Sequence, residues 1–175
     1  AEQLRDLFDV GLTVVPVDAH GRVNPDDVGR AVGDPGSEVV LVSVMYANNE
    51  IGTIQPLAAI GRLARSKGAL MHTDAVQAGG ALSLKVDELN VDFLALSAHK
   101  FYGPKGVGLM YVRDGAAAVP ALTGGGHERG RRPGTLNVAG IVGLATALRL
   151  AQERRESENA RLIALRDKLV AGILA

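Results

Sequence analysis

Lys100 stands in the segment Leu96-Ser97-Ala98-His99-Lys100-Phe101-Tyr102-Gly103-Pro104-Lys105-Gly106, at the end of an apolar run. Asp74 stands in His72-Thr73-Asp74-Ala75-Val76-Gln77, after an earlier run of the same kind. An amine beside Ser and His, with a carboxylate at the end of a preceding strand, suits pyridoxal phosphate chemistry. The lysine forms a Schiff base with the cofactor aldehyde, and the carboxylate keeps the pyridine nitrogen protonated so that the ring draws electrons. Ser97 and His99 can hold a phosphate, because hydroxyl, imidazole and backbone donors suffice for an oxyanion. A free lysine, with a pKa near ~10.4, is a poor nucleophile at neutral pH. Partial desolvation and conjugation bring it into a useful range. Lys105, between Pro104 and Gly106, reads better as a turn residue.

Those side chains must be carried by something, and the pattern around them is that of an α/β protein with a mainly parallel sheet and flanking helices. Leu12 to Val17 is a short β-rich run. Asn24 is a good N-cap with Pro25 at the first helical position, and Gly33-Asp34-Pro35-Gly36 ends that helix. Val39 to Met45 is almost continuously apolar, as a strand covered on both faces would be. Leu57 to Lys67 has helical spacing and stops at Gly68. Ala69 to His72 and Val91 to Leu96 are the next strands. Val107 to Val112 follows too closely for a crossover, so it should pair antiparallel. Gly115 to Val119 reads as linker, helices are expected over Val138 to Glu156 and from there to the end, and Ala1 to Asp9 reads as the tail of a helix. Ligands of such sheets bind beyond the carboxyl ends of the parallel strands. Asn49, Asp74 and Lys100 each follow a strand-like run, so one rim receives an amide, a carboxylate and an amine.

The bulk numbers narrow the function classes. A chain of 175 residues makes one domain, 47% hydrophobic but only 3% aromatic, so the core must be built from Ala, Val, Leu and Ile. The 19 basic and 19 acidic residues cancel, which gives no bulk attraction to nucleic acid or membrane. No apolar run approaches the ~20 residues of a membrane helix, and the first residues do not read as a signal peptide; a cytoplasmic protein is expected. With no cysteine in the chain there is neither a disulfide nor a Cys-ligated metal site, and no metal is expected. The loop Gly124-Gly125-Gly126-His127-Glu128-Arg129-Gly130 lacks the Gly-Lys-Ser/Thr ending of a phosphate loop.

Taken with Ala47-Asn48-Asn49-Glu50-Ile51-Gly52 and this glycine-rich loop, the motifs around Asp74 and Lys100 strongly resemble those of the cysteine desulfurases and selenocysteine lyases. These belong to the class V aminotransferase group of pyridoxal phosphate enzymes. The resemblance runs from about Leu12 to Leu148. It implies the large domain of the aspartate aminotransferase-like transferase architecture (fold type I), with residues 1–150 forming its central and C-terminal part. Residues 151–175 would be a helix leading toward a small domain. It implies Lys100 as the Schiff-base lysine that moves the substrate's α-proton and Asp74 as the partner of the pyridine nitrogen. Gln77 would donate to the ring hydroxyl, Asn49 would lie near that hydroxyl and the substrate carboxylate, and Ser97 and His99 would hold the phosphate. Asn48 is a less certain neighbour of Asn49, and His72 is expected to be structural. Thr135, closing Arg132-Pro133-Gly134-Thr135, would reach the cofactor phosphate of a second copy in a homodimer. Arg129, Arg131 and Arg132 would orient that loop or simply be surface charge.

The implied reaction takes L-cysteine to L-alanine and passes the sulfur as a persulfide to a protein thiol, for iron–sulfur cluster assembly or thio-modification, with a further protein as sulfur acceptor. The chain holds no such thiol. The expectation is therefore that the acceptor Cys lies on polypeptide outside these residues and that they alone are inactive. Two other readings stand beside it: a selenocysteine lyase or another class V lyase that needs no protein thiol, toward which Pro133 leans, and a catalytically incompetent domain that binds a partner.

Overall fold

The computed structural model describes residues 2–174. Four strands form one sheet in sequence order: β1 (Leu41–Met45), β2 (Leu70–Asp74), β3 (Phe93–Ser97) and β4 (Gly108–Val112). The first three run parallel and β4 returns antiparallel to β3. That is the mainly parallel sheet read from the sequence, including the reversed last strand. Helices α1 (Glu2–Phe8), α2 (Pro25–Val32), α3 (Leu57–Ser66), α4 (Val86–Leu89) and α5 (Val138–Leu174) flank it, and a small hairpin joins β5 (Gly126–His127) to β6 (Arg132–Pro133). None of these helices is long and apolar enough to cross a membrane.

The caps are those the residue types call for. Asn24 accepts from the Asp26 backbone N–H at 3.0 Å, Pro25 opens α2, and Gly33 ends it with φ 79°. On α3 the apolar spacing puts Leu57, Ile60 and Ala64 into the core against Met71 and the neighbouring strands. Side chains alternate across the sheet. Val42 and Val44 of β1, Met71 and Thr73 of β2, and Leu94 and Leu96 of β3 share the face that the helices bury, while Ser43, His72, Asp74, Phe93, Ala95 and Ser97 share the other.

Two expectations are corrected. Leu12 to Val17 is not a strand: it makes only an isolated bridge, Val17 to Val23, and Val14 and Val17 are exposed. β-propensity alone does not make a strand where no sheet edge lies alongside. The two C-terminal helices are one, α5, continuous for 37 residues and about 55 Å long. Residues 153–161 carry no Gly or Pro to break it. Ion pairs one turn apart, Arg149 to Glu153 at 2.8 Å and Glu158 to Arg161 at 2.7 Å, brace the stretch where a break was expected. The short helix α4 has no counterpart in the sequence reading; a single turn offers too little periodicity to detect.

At the end of the sheet away from the candidate rim, Asp92 is buried and fully engaged. Its Oδ2 accepts from the Met71 backbone N–H at 2.9 Å, and its Oδ1 faces Arg113 Nε at 3.2 Å and Arg65 Nη2 at 3.5 Å. Arg113 also donates to the Val91 carbonyl at 2.9 Å and to Asp87 at 2.8 Å, the latter being the main reason its guanidinium is held even more firmly protonated. This cluster ties β2, β3, β4 and α4 together. Asp92→Ala would strand the buried Met71 N–H and remove one partner each from Arg113 and Arg65, so urea unfolding should show a loss of roughly 2–3 kcal/mol; a loss below about 1 kcal/mol would mean that water replaces the carboxylate freely.

Candidate active site

Parallel register decides which residues meet. Met45, Asp74 and Ala95 stand level across β1, β2 and β3, so all three strands end at the same rim, with Ser97 one same-face step beyond Ala95. Asp74 is fixed from several sides. Its carbonyl accepts from the Tyr46 N–H at 2.8 Å, the next residue, Ala75, donates to the Ala95 carbonyl at 3.0 Å, and the carboxylate accepts from the Val76 N–H at 2.9 Å. That last bond makes Asp74 the head of an Asx turn rather than a helix cap, because residues 76–80 form turns and the next helix begins only at Val86. Asp74 is half-buried. Gln77, also half-buried, lies in that succession of turns.

Beyond β3 the chain enters a single 3-10 turn, Ala98–Phe101, that carries Lys100. Ser97 Oγ and His99 Nδ1 approach to 2.9 Å, so a hydroxyl and an imidazole converge just before the lysine. Lys100 itself is exposed on the rim. Its backbone is not free. Phe101, only 1% exposed, fills the space above Gly79, where a Cβ would come within 2.5 Å of its ring. Gly103 lets Ala98 and Ala147 of α5 approach, and Gly143 of α5 admits Pro104. Tyr102 turns the chain with φ 65°, its backbone N–H donating to the Ala98 carbonyl. A polar lysine thus sits on an apolar plug.

The other sequence candidates lie differently. Asn48 is spent on its own turn, where its side chain accepts from the N–H groups of Glu50 at 2.8 Å and Ile51 at 3.0 Å. Asn49 is therefore the exposed amide at the tip of the loop closed by the Ala47 to Ile54 bridge. Thr135 is exposed after β6, on the segment whose turn is held by left-handed Glu128 and Arg129 and by Gly130 and Gly134. Arg129 faces Asp114 at 4.0 Å on the surface, and Arg131 and Arg132 are exposed. A concavity of about 520 Å³ lies elsewhere, lined by Asp18, Arg22, Asn24 and Pro56 among others, and touches none of the candidates. The rim is a better site than that hollow, because it alone combines a carboxylate, an amine and a hydroxyl–imidazole pair.

One partner escaped the sequence reading. Ser43 Oγ lies 2.8 Å from Nδ1 of His72. A Ser inside the apolar run of β1 was the available signal. Burial pushes the His72 imidazole below its ordinary value, against the pull of Asp74.

The donor set fits pyridoxal phosphate: a half-buried carboxylate for a protonated ring nitrogen, an adjacent hydroxyl–imidazole pair for a phosphate, and a primary amine between turn and solvent. Among the described residues no three His, Asp or Glu side chains gather as a metal site.

Residues 1–175 match the family model described as aminotransferase class-V. The chain is 50% identical over 164 residues to the cysteine desulfurase IscS of Clostridium botulinum (strain Hall), covering 94% of this chain and 41% of that protein. It is 49% identical over 163 residues to the cysteine desulfurase IscS of Methanosarcina thermophila, covering 93% and 40%. Among solved structures, a NifS-like protein superposes with a TM-score of 0.92 at 41% identity, over 99% of this chain and 47% of that one. The chain spans about two-fifths of the length of the curated relatives it matches.

The seating of the lysine turn yields a direct test. Gly79→Ala places a methyl group against Phe101 and should cost about 1–3 kcal/mol, read as a lower urea midpoint with unchanged slope; a midpoint equal to wild type would show that Phe101 moves aside freely.

Proposed function

The chain belongs to the class-V aminotransferase family, and we propose that it is the cofactor-anchoring segment of a pyridoxal phosphate-dependent cysteine desulfurase. The observation that carries this reading is the convergence of Asp74, the Ser97–His99 pair and Lys100 on one rim of a parallel sheet. Relatives at about half identity that bear the same activity support it.

In this reading Asp74 binds the pyridine nitrogen as an ion pair and Gln77 donates to the ring hydroxyl. Asn49 addresses that hydroxyl and the substrate carboxylate, and Ser97 and His99 bind the phosphate through charge-assisted hydrogen bonds. When bound, the cofactor supplies a ring that takes up the electron pair left as the substrate's Cα–H bond breaks. Lys100 Nζ would anchor the cofactor and would serve as the general base that accepts the substrate's Cα proton. Sulfur leaves L-cysteine from Cβ to a protein thiol, and L-alanine remains. The chain has no cysteine, so that thiol belongs to another stretch of polypeptide. Thr135 would serve the cofactor of a second copy, making the working unit a homodimer. Residues 1–150 would belong to the cofactor-binding large domain, and the remainder of α5 would lead from it. The final sulfur acceptor would be a separate protein.

Lys100→Ala in the full-length protein that carries this chain should lower kcat by at least 10²–10⁴-fold, roughly the value of a positioned general base. Borohydride reduction should then fix no pyridoxyl group, whereas the unsubstituted protein gains one mapped to Lys100. Turnover retained by the variant, or an adduct on Lys105 instead, would overturn the assignment.

A further inference from the structure

Ser43 and His72 stand directly opposite one another on β1 and β2, with Ser43 Oγ 2.8 Å from His72 Nδ1. Side chains two residues apart on a strand share a face, so this pair lies on the same side of the sheet as Asp74 and Ser97. The neighbours of His72 within the sheet are Ser43 across β1, Phe93 across β3, and Leu70 and Asp74 along β2. Asp74 is the charged group that acts on the ring; partial burial acts the other way and keeps the ring neutral at neutral pH. The sheet has thus placed a titratable cation-former one step from the carboxylate that the proposed cofactor needs, then suppressed its charge.

We propose that Ser43 and His72 guard the charge of Asp74: Ser43 donates to Nδ1, the imidazole stays neutral, and the carboxylate keeps its full charge for a protonated pyridine ring. Protonation of His72 then weakens retention of pyridoxal phosphate. An imidazolium would draw on the same carboxylate and repel the cationic ring. The coupling is reciprocal, so a bound ring makes His72 harder to protonate. This inference rests on the assignment of Asp74 made above.

The test is the dissociation constant of pyridoxal phosphate for the full-length protein between about pH 5.5 and 7.5, the range in which histidine titrates. It is measured for wild type, H72N, S43A and D74N. H72N retains an amide that can bond to Ser43 but cannot titrate. Affinity in wild type is expected to fall about fivefold further on acidification than in H72N. In S43A the fall should move to higher pH, because the neutral ring has lost its donor. Proton equilibria of the cofactor itself are common to all the proteins and cancel in the comparison. Equal falls in wild type and H72N, with D74N still weakening binding at the upper pH, would overturn the pairing alone. Binding unaffected by D74N would instead overturn the Asp74 assignment beneath it. Should H72N fail to fold, S43A decides: an unmoved acid limb sinks the proposal.

Discussion

Parallel pairing of β2 with β3 is the constraint from which the rest of the site follows. It sets Asp74 level with Ala95, and the Ala75 to Ala95 backbone bond carries the alignment one residue past the strand end. Strands that pointed opposite ways would send their carboxyl ends to opposite rims. Parallel strands must also be joined by crossovers, which is why α3 and α4 intervene and why the sheet's helical face is so thoroughly apolar. Burial there supports order at the rim, where the polar side chains Asp74, Ser97, His99 and Lys100 are half-buried or exposed.

Order at the rim takes two forms. Asp74 is held by hydrogen bonds, each to a backbone group, so the backbone sets its direction and the neighbouring His72 bears on its charge rather than its placement. Lys100 is held by packing: Phe101 and Ala98 are buried beneath it, and Gly79, Gly103 and Gly143 remove the Cβ atoms that would keep the 3-10 turn away from β2's turns and α5. A nucleophile needs a mobile tip on a fixed base, and this arrangement separates the two.

Much of this could be read from the chain. Asn24-Pro25 and Gly33 bounded a helix because capping is local chemistry. The Val39–Met45 run and the close spacing of Val107 to its predecessor fixed strand type and direction. Asp74 and Lys100 announced themselves because their neighbours were distinctive. What escaped was long-range or cooperative. Whether Leu12–Val17 pairs depends on which strand lies beside it, and nothing within those six residues records that. The absence of a break near residue 156 depends on ion pairs that only a helix creates. His72 looked structural because its partner Ser43 is 29 residues away. The sequence favours Asn49 over Asn48 only through the resemblance; the loop gives a physical reason, with Asn48 folded back on its own backbone and Asn49 exposed.

The length of α5 gives the Lys100 turn a reach that its small size conceals. The helix is anchored near its start by Gly143 against Pro104 and Ala147 against Gly103. Further along, Gln152 donates to the Gly79 carbonyl at 2.8 Å and Asn159 to that of Ala81 at 2.8 Å. Past Asn159 it runs exposed to Leu174. The rod continues about 22 Å beyond Asn159 and magnifies angles: a tilt of ~10° displaces its tip by roughly 4 Å relative to that last anchor. Leverage of that kind makes this row of anchors, which begins beside the lysine, the bearing on which the far end of the helix is aimed.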